Sequence, residues 1–192
     1  MNIQDLFNLD KKIAFISGGA TGIGRMAAEA MAMAGARVLI ASRKGSLCAS
    51  VAEELNQKGY KGTVEGFEGD LSSEAGVEAV VKEIKIRTGQ LNILMNNAGR
   101  SWGAPLGSFP HNAWEKVMSL NVAGLFSLTQ SLIPLLEKSA THEDPARVIN
   151  VGSVMGEVPM GDGAYSYSAS KAAVHQITKV LAKELGKVKL LP

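Results

Sequence analysis

Short apolar segments alternate with longer amphipathic segments along most of this 192-residue chain. The short segments are apolar throughout, which predicts strands that are buried on both faces, at 12–17, 36–41, 62–68, 92–96 and 146–151. The longer segments predict helices at 22–34, 46–58, 73–87, 112–136 and 165–185. Strands that alternate with helices predict an α/β fold, a Rossmann-type doubly wound parallel sheet with helices on both faces.

The length of the chain and its even composition indicate one domain. No repeat, low-complexity tract or linker interrupts the alternation, so we predict a single domain over residues 1–192. With 46% hydrophobic and 20% charged residues, the composition is typical of a soluble globular protein. A formal net charge of +2 gives no reason to expect nucleic acid as a partner.

Cysteine, histidine and the N-terminal residues add three expectations. Cys48 is the single cysteine, which excludes an intrachain disulfide, and the three histidines are too far apart in sequence to suggest a metal site. The first residues are polar, without the pattern of a secretory signal. We also expect no apolar run of membrane-spanning length, hence no membrane partner and a cytoplasmic location.

Glycines mark the turn between the first strand and the first helix, where Gly18, Gly22 and Gly24 follow the pattern Gly-x-x-x-Gly-x-Gly. Glycine lets the backbone turn sharply and approach a pyrophosphate, and the helix N-terminus attracts its charge. The turn therefore predicts a dinucleotide site, although a tight strand-to-helix connection alone would also use glycine.

The end of the second strand bears on which dinucleotide is bound. An acidic residue there would bind the ribose 2′-hydroxyl of NAD, but the chain has Arg43 and Lys44. A guanidinium can form paired hydrogen bonds with a 2′-phosphate, which favours NADP(H), while the alternative is a solvated entrance to the next helix. After the third strand, Asp70 is placed either to accept a hydrogen bond from adenine or to cap a helix.

A tyrosine and a lysine four residues apart predict the catalytic centre. On a helix Tyr167 and Lys171 project from one face, and a nearby ammonium favours the phenolate. The residue four after Tyr165 is Ala169, which selects Tyr167 instead. Alone, such a pair would more often include an ordinary surface lysine, but Ser153 follows the fifth strand at the same edge of the predicted sheet and could bind a reacting oxygen.

Taken together, these residues resemble the short-chain dehydrogenase/reductase family over residues 9–186. The resemblance also includes Asn97-Ala98-Gly99 after the fourth strand and Asn121, a polar residue in a mostly apolar helix. Within the family the chain is most similar to the 3-oxoacyl (beta-ketoacyl) reductases, in particular the type associated with rhamnolipid biosynthesis.

The resemblance implies an NADP(H)-dependent oxidoreductase whose substrate is a small carbonyl compound, specifically a 3-oxoacyl thioester. It implies that Tyr167 is the general acid, that Lys171 lowers its pKa and binds the nicotinamide ribose, that Ser153 steadies the substrate oxygen and that Asn121 holds a proton-relay water. The cofactor-binding residues that it implies are Ser17, Gly18, Thr21, Gly22, Ile23, Gly24, Arg43, Asp70, Leu71, Asn97, Ala98, Gly99, Tyr167 and Lys171.

Family members continue for longer at the C-terminus, with a sixth strand, a substrate-covering segment and a seventh strand. We therefore expect a C-terminally incomplete domain that lacks the family's last strands, with the fifth strand as a sheet edge. A homodimer through the helices at 112–136 and 165–185 is expected rather than a tetramer. Two functions stay open, an active carbonyl reductase and a catalytically incompetent NADP-binding or interaction protein.

Overall fold

The computed structural model describes residues 6–186 and the backbone of 190–191. Its strands form a single sheet in which every pairing is parallel, in the order β3-β2-β1-β4-β5-β6. The strands are β1 Ile13–Ser17, β2 Arg37–Ser42, β3 Thr63–Glu68, β4 Ile93–Asn96, β5 Ala146–Asn150 and β6 Leu190–Leu191. The strand order reverses between β1 and β4, and this reversal opens a crevice at the C-terminal ends of the strands.

The helices lie between the strands, as predicted. They are α1 Gly22–Met33, α2 Gly45–Gln57, α3 Glu74–Arg87, α4 His111–Met118, α5 Leu125–Ser139 and α6 Tyr165–Leu185, with 3₁₀ turns at Leu106–Ser108 and Val154–Gly156. The predicted doubly wound α/β fold is thereby confirmed, with the predicted strands and helices displaced by at most a few residues.

The helix predicted over 112–136 is not one regular α-helix. A π-helical turn, Ser119–Gly124, separates α4 from α5. At its end Gly124 packs so closely on the loop after β3 that a Cβ atom would overlap the carbonyl oxygen of Leu71. A π-helical turn adds one residue to the repeat, and the hydrophobic pattern does not reveal this insertion because apolar residues continue on both sides.

Neighbouring residues of each strand pack on opposite faces of the sheet. In β1, Phe15 contacts the layer formed by α3 and α5, whereas Ala14 and Ile16 contact the layer formed by α1 and α2. All three side chains are fully buried. This two-sided burial explains why the strands read as continuous apolar runs, and it holds their C-terminal ends in place for the site.

Two expectations about the exterior need correction. The fifth strand is not a complete sheet edge, because Leu190 and Leu191 pair with Ala146 and Arg147 at its beginning. In addition, the helical segment 111–139 is long and apolar enough to cross a membrane by length and composition, contrary to the expectation that no apolar run reaches that length. Half of its most apolar window is buried, and its leucines Leu128 and Leu132 lie in the core, as in the central helix of a soluble protein.

Candidate active site

The glycine turn between β1 and α1 has the backbone shape that the sequence predicts. Gly18 and Gly22 have φ angles of +66° and +52°, a region that side chains other than glycine rarely adopt. Gly24 lies so close to the turn that a Cβ atom would be 2.5 Å from Asn97 Nδ2 and would overlap the carbonyl oxygen of Gly18. Glycine is therefore required for different reasons at these positions: backbone conformation at the first two and close packing at the third.

Ser17 and Asn97 join the glycine turn to the loop after β4. The backbone N–H groups of Asn97 and Ala98 each donate to Ser17 Oγ at 3.0 Å. In return, Asn97 Nδ2 donates to the carbonyl oxygens of Ser17 and Gly18 at 3.0 and 3.1 Å. These side chains, predicted as cofactor contacts, hold together the two loops that form the floor of the crevice.

A cavity of about 230 Å³ lies along the crevice from β2 to β4. Eight of the predicted cofactor-binding residues line it: Ser17, Gly18, Thr21, Arg43, Asp70, Leu71, Ala98 and Gly99. Of the two roles expected for Asp70, the helix cap is wrong, because Ser73 caps α3 by accepting from the Gly76 N–H at 3.2 Å. Asp70 instead accepts from the Ser72 N–H at 3.0 Å and faces the cavity.

A second cavity, of about 690 Å³, shares Gly99 with the first and contains three of the four predicted catalytic side chains. Tyr167, Lys171 and Ser153 line it together with Ile23 and Asn97. The structure thus brings together three of the four predicted catalytic residues and ten of the predicted cofactor-binding residues besides them. Gly22 and Gly24 shape the turn without lining either cavity.

Lys171 is buried at the base of this second cavity, with 5% of its surface exposed. Its Nζ atom donates to the carbonyl oxygen of Val151 at 2.6 Å and lies 5.7 Å from the centre of the Tyr167 ring. Burial lowers the pKa of Lys171 below its ordinary value, because an ammonium loses hydration there. The lysine therefore links α6 to the end of β5 beside the tyrosine.

Ser153 follows β5 and begins a 3₁₀ turn. Its Oγ atom accepts from the Met155 N–H at 3.2 Å, so the hydroxyl proton remains free to bind an oxygen in the cavity. Its own backbone N–H donates to Nε2 of His175 at 3.4 Å. His175 had no role expected from the sequence beyond its exclusion, with the other two histidines, from a metal site. Its position four residues after Lys171 on α6 was the signal that could have connected it with the active site.

Asn121, the fourth predicted catalytic residue, lines neither cavity. It is buried in the π-helical turn, where its Oδ1 accepts from the Arg100 N–H and its Nδ2 donates to the Arg100 carbonyl oxygen, both at 2.9 Å. Nδ2 also donates to Ser170 Oγ at 3.0 Å. The side chain thus holds the loop after β4 against α6, and its relay water stays a prediction.

Several residues of the second cavity were not predicted, among them Arg100, Trp102, Met155 and Asp162. They lie in irregular segments after β4 and β5, where no periodic pattern exists to locate a side chain. The sequence offers only one indication of their position, and it is weak: each segment follows a strand at the edge of the sheet where ligands bind.

The family model described as short chain dehydrogenase matches residues 12–190. The chain belongs to the short-chain dehydrogenase family. A rhamnolipids biosynthesis 3-oxoacyl-[acyl-carrier-protein] reductase from Pseudomonas aeruginosa is 49% identical over 179 residues, which are 93% of this chain and 69% of the relative.

Two solved structures show the same relationship in three dimensions. The active-site complex of Pseudomonas aeruginosa RhlG with NADP superposes with a TM-score of 0.90 at 48% identity, over 96% of this chain and 71% of that one. A Burkholderia cenocepacia gluconate 5-dehydrogenase in complex with NADP and tartrate has a TM-score of 0.86 at 29% identity, over 98% and 71% of the two chains. The matches confirm the family that the motifs indicate, and show that this dehydrogenase chain is shorter than these relatives.

Proposed function

We propose that this chain is an NADPH-dependent carbonyl reductase that acts on a 3-oxoacyl thioester. The observation that carries the proposal is the convergence of Tyr167, Lys171 and Ser153 on one cavity, which continues at Gly99 into the cavity lined by Arg43. The substrate class is supported by the 49% identical relative, which is a 3-oxoacyl-[acyl-carrier-protein] reductase.

The first cavity fits the adenosine and pyrophosphate parts of NADP(H). The φ angles of Gly18 and Gly22 open the N-terminal end of α1 to a pyrophosphate, and exposed Arg43 supplies a cation for a 2′-phosphate. Asp70 stands at the far side of the same cavity as an acceptor for the adenine amino group. The dinucleotide, when bound, supplies the hydride for the carbonyl carbon.

The protein side of the reaction is a proton transfer. The Tyr167 hydroxyl gives its proton to the carbonyl oxygen as the carbon is reduced, and the Ser153 hydroxyl donates a hydrogen bond to the same oxygen. Lys171 places its ammonium group beside the tyrosine, where positive charge favours the phenolate that remains after the transfer. A ketone thereby becomes a secondary alcohol.

The test is NADPH oxidation with a 3-oxoacyl thioester by the wild-type chain and by Tyr167→Phe. We expect the substitution to lower kcat by about 100-fold or more, since general acid catalysis contributes roughly that factor. Tyr165→Phe is the matched control, because Tyr165 is an exposed tyrosine of the same helix that does not line the second cavity. Equal rates for wild-type and Tyr167→Phe would refute the proposal, and NADPH binding without turnover would favour the cofactor-binding alternative.

We further propose that two copies associate through the outer faces of α5 and α6. Phe126 and Val180 on these helices remain 40% and 47% exposed, which is unfavourable for large apolar side chains in water. Sedimentation equilibrium should show a dimer for the wild-type chain and a monomer for Phe126→Asp. A wild-type monomer at micromolar concentration would contradict this association.

A further inference from the structure

His175 is a polar side chain beside the site that the proposed mechanism does not use. It lies four residues after Lys171, which itself lies four residues after Tyr167, so the three side chains lie along one face of α6. We propose that His175 is the positioning residue of Ser153. This inference rests on the proposed function, because it assigns His175 a role through the hydroxyl that binds the substrate oxygen.

The imidazole ring occupies a gap that Gly152 leaves open in the segment carrying Ser153. A Cβ atom on Gly152 would lie 2.8 Å from the ring's Cδ2 and would overlap Nε2, so a larger residue there would expel the ring. On Gly156 a Cβ atom would meet the backbone of α6 first, at 2.8 Å from the Lys171 carbonyl carbon and the Ala172 nitrogen, and the ring's Cε1 at 3.0 Å. Glycine at 152 therefore makes room for the ring, and glycine at 156 lets the segment lie against α6 beside it.

The ring binds the serine through one defined nitrogen. The Ser153 N–H donates to Nε2 at 3.4 Å, and Nε2 can accept only in the neutral tautomer whose proton is on Nδ1. Nδ1 is buried and forms no hydrogen bond with the described residues, but it lies 3.3 Å from a carboxylate oxygen of Glu157, whose negative charge favours the proton on Nδ1. The surroundings of the ring thus favour the tautomer that can hold Ser153.

Together with Lys171, His175 attaches the segment 151–155 to the helix that carries Tyr167. Lys171 holds the Val151 carbonyl oxygen at 2.6 Å, and His175 holds the Ser153 N–H two residues later. Met155 then donates its N–H to Ser153 Oγ at 3.2 Å, which sets the side chain's direction. Without His175 the Ser153 N–H loses its hydrogen-bond acceptor, and the Ser153 hydroxyl is no longer held at a fixed distance from the Tyr167 hydroxyl.

The experiment compares His175→Phe with His175→Gln in the full chain, using NADPH and a 3-oxoacyl thioester. Phenylalanine fills the gap without an acceptor, whereas glutamine brings an acceptor oxygen to about the place of Nε2. We expect His175→Phe to lower kcat by roughly tenfold or more, because a displacement of about 1 Å can cost on the order of 100-fold. NADPH affinity and the unfolding midpoint should change little, and His175→Gln should recover most of kcat.

His142→Phe is the matched control, because His142 lies in an exposed loop before β5, at the opposite edge of the sheet. Equal kcat values for His175→Phe and His142→Phe would overturn the proposal. Equal losses of kcat and unfolding midpoint in His175→Phe and His175→Gln would also overturn it, since they would show a packing role.

The ring tautomer provides a readout that does not depend on turnover. Long-range ¹H–¹⁵N spectra of the histidine-labelled protein should place the His175 proton on Nδ1, and a proton on Nε2 would overturn the positioning role. If the wild-type chain lacks turnover, the proposed function fails, and the tautomer decides separately whether His175 holds Ser153.

Discussion

Substitution of Gly24 by alanine should damage the cofactor turn by an amount that the structure allows us to estimate. The added Cβ atom would overlap the carbonyl oxygen of Gly18 and would lie 2.5 Å from Asn97 Nδ2, so the turn must move by more than 0.5 Å to reach the 3.0 Å below which real contacts essentially never occur. Overpacking of this kind costs about 1–3 kcal/mol, and the displaced Asn97 hydrogen bond to the Gly18 carbonyl oxygen adds about 1 kcal/mol. The higher helix propensity of alanine relative to glycine offsets ~1 kcal/mol of this destabilisation.

The net expectation is a destabilisation of about 1–3 kcal/mol and a weaker affinity for NADPH, because the turn that faces the pyrophosphate is displaced. Urea unfolding measures the first effect and NADPH fluorescence titration the second. Gly89→Ala is the matched control, because a Cβ at Gly89 would meet nothing within 4 Å, and its effect should stay within about 0.5 kcal/mol. If Gly24→Ala were as stable as Gly89→Ala and bound NADPH equally well, the close packing deduced for this turn would be wrong.

Three further predictions concern charged groups. Because burial lowers the pKa of Lys171 from 10.5, the unfolded chain binds more protons than the folded chain between the lowered pKa and 10.5. Urea unfolding should therefore show wild-type gaining stability relative to Lys171→Met as the pH rises through the lowered pKa towards 10.5, and a constant difference would contradict this. Lys12 lowers the pKa of Asp144. The difference in unfolding free energy between wild-type and Asp144→Asn should therefore be present above pH 4 and disappear as the pH falls through the lowered pKa. A difference that persists below the lowered pKa would contradict this prediction. Arg43→Ala should raise the KM for NADPH by roughly 10- to 100-fold and leave the KM for NADH nearly unchanged, because only NADPH carries a 2′-phosphate. Equal changes in the two KM values would exclude a contact between Arg43 and the 2′-phosphate.

The sheet could be predicted from the chain because its strands are buried on both faces and read as apolar runs between turns. The same is true of the glycine turn, whose function depends on backbone conformation that few residues other than glycine permit. Tyr167 and Lys171 were recognisable because a regular helix converts a spacing of four into a shared face.

The features that escaped prediction depend on contacts between distant segments. The π-helical turn leaves the apolar pattern of 111–139 continuous. The hydrogen bond between the Arg100 N–H and Asn121 Oδ1 joins two segments whose proximity no local pattern reveals. The spacing of His175 from Lys171 could place it on the same helix face, but not beside Ser153, because that contact depends on Gly152 in another segment. The pairing of Leu190 with Ala146 was missed because a two-residue strand has no measurable period.

The transfer of deuterium from NADPH that carries deuterium at both C4 positions of the nicotinamide tests the central claim most directly. Incubated with a 3-oxoacyl thioester, the chain should form the 3-hydroxyacyl thioester with one deuterium on C3, detected by mass spectrometry, and Tyr167→Phe should form far less of it in the same time. Absence of the hydroxyacyl product, or a product without deuterium at C3, would contradict the assignment of this cavity to carbonyl reduction.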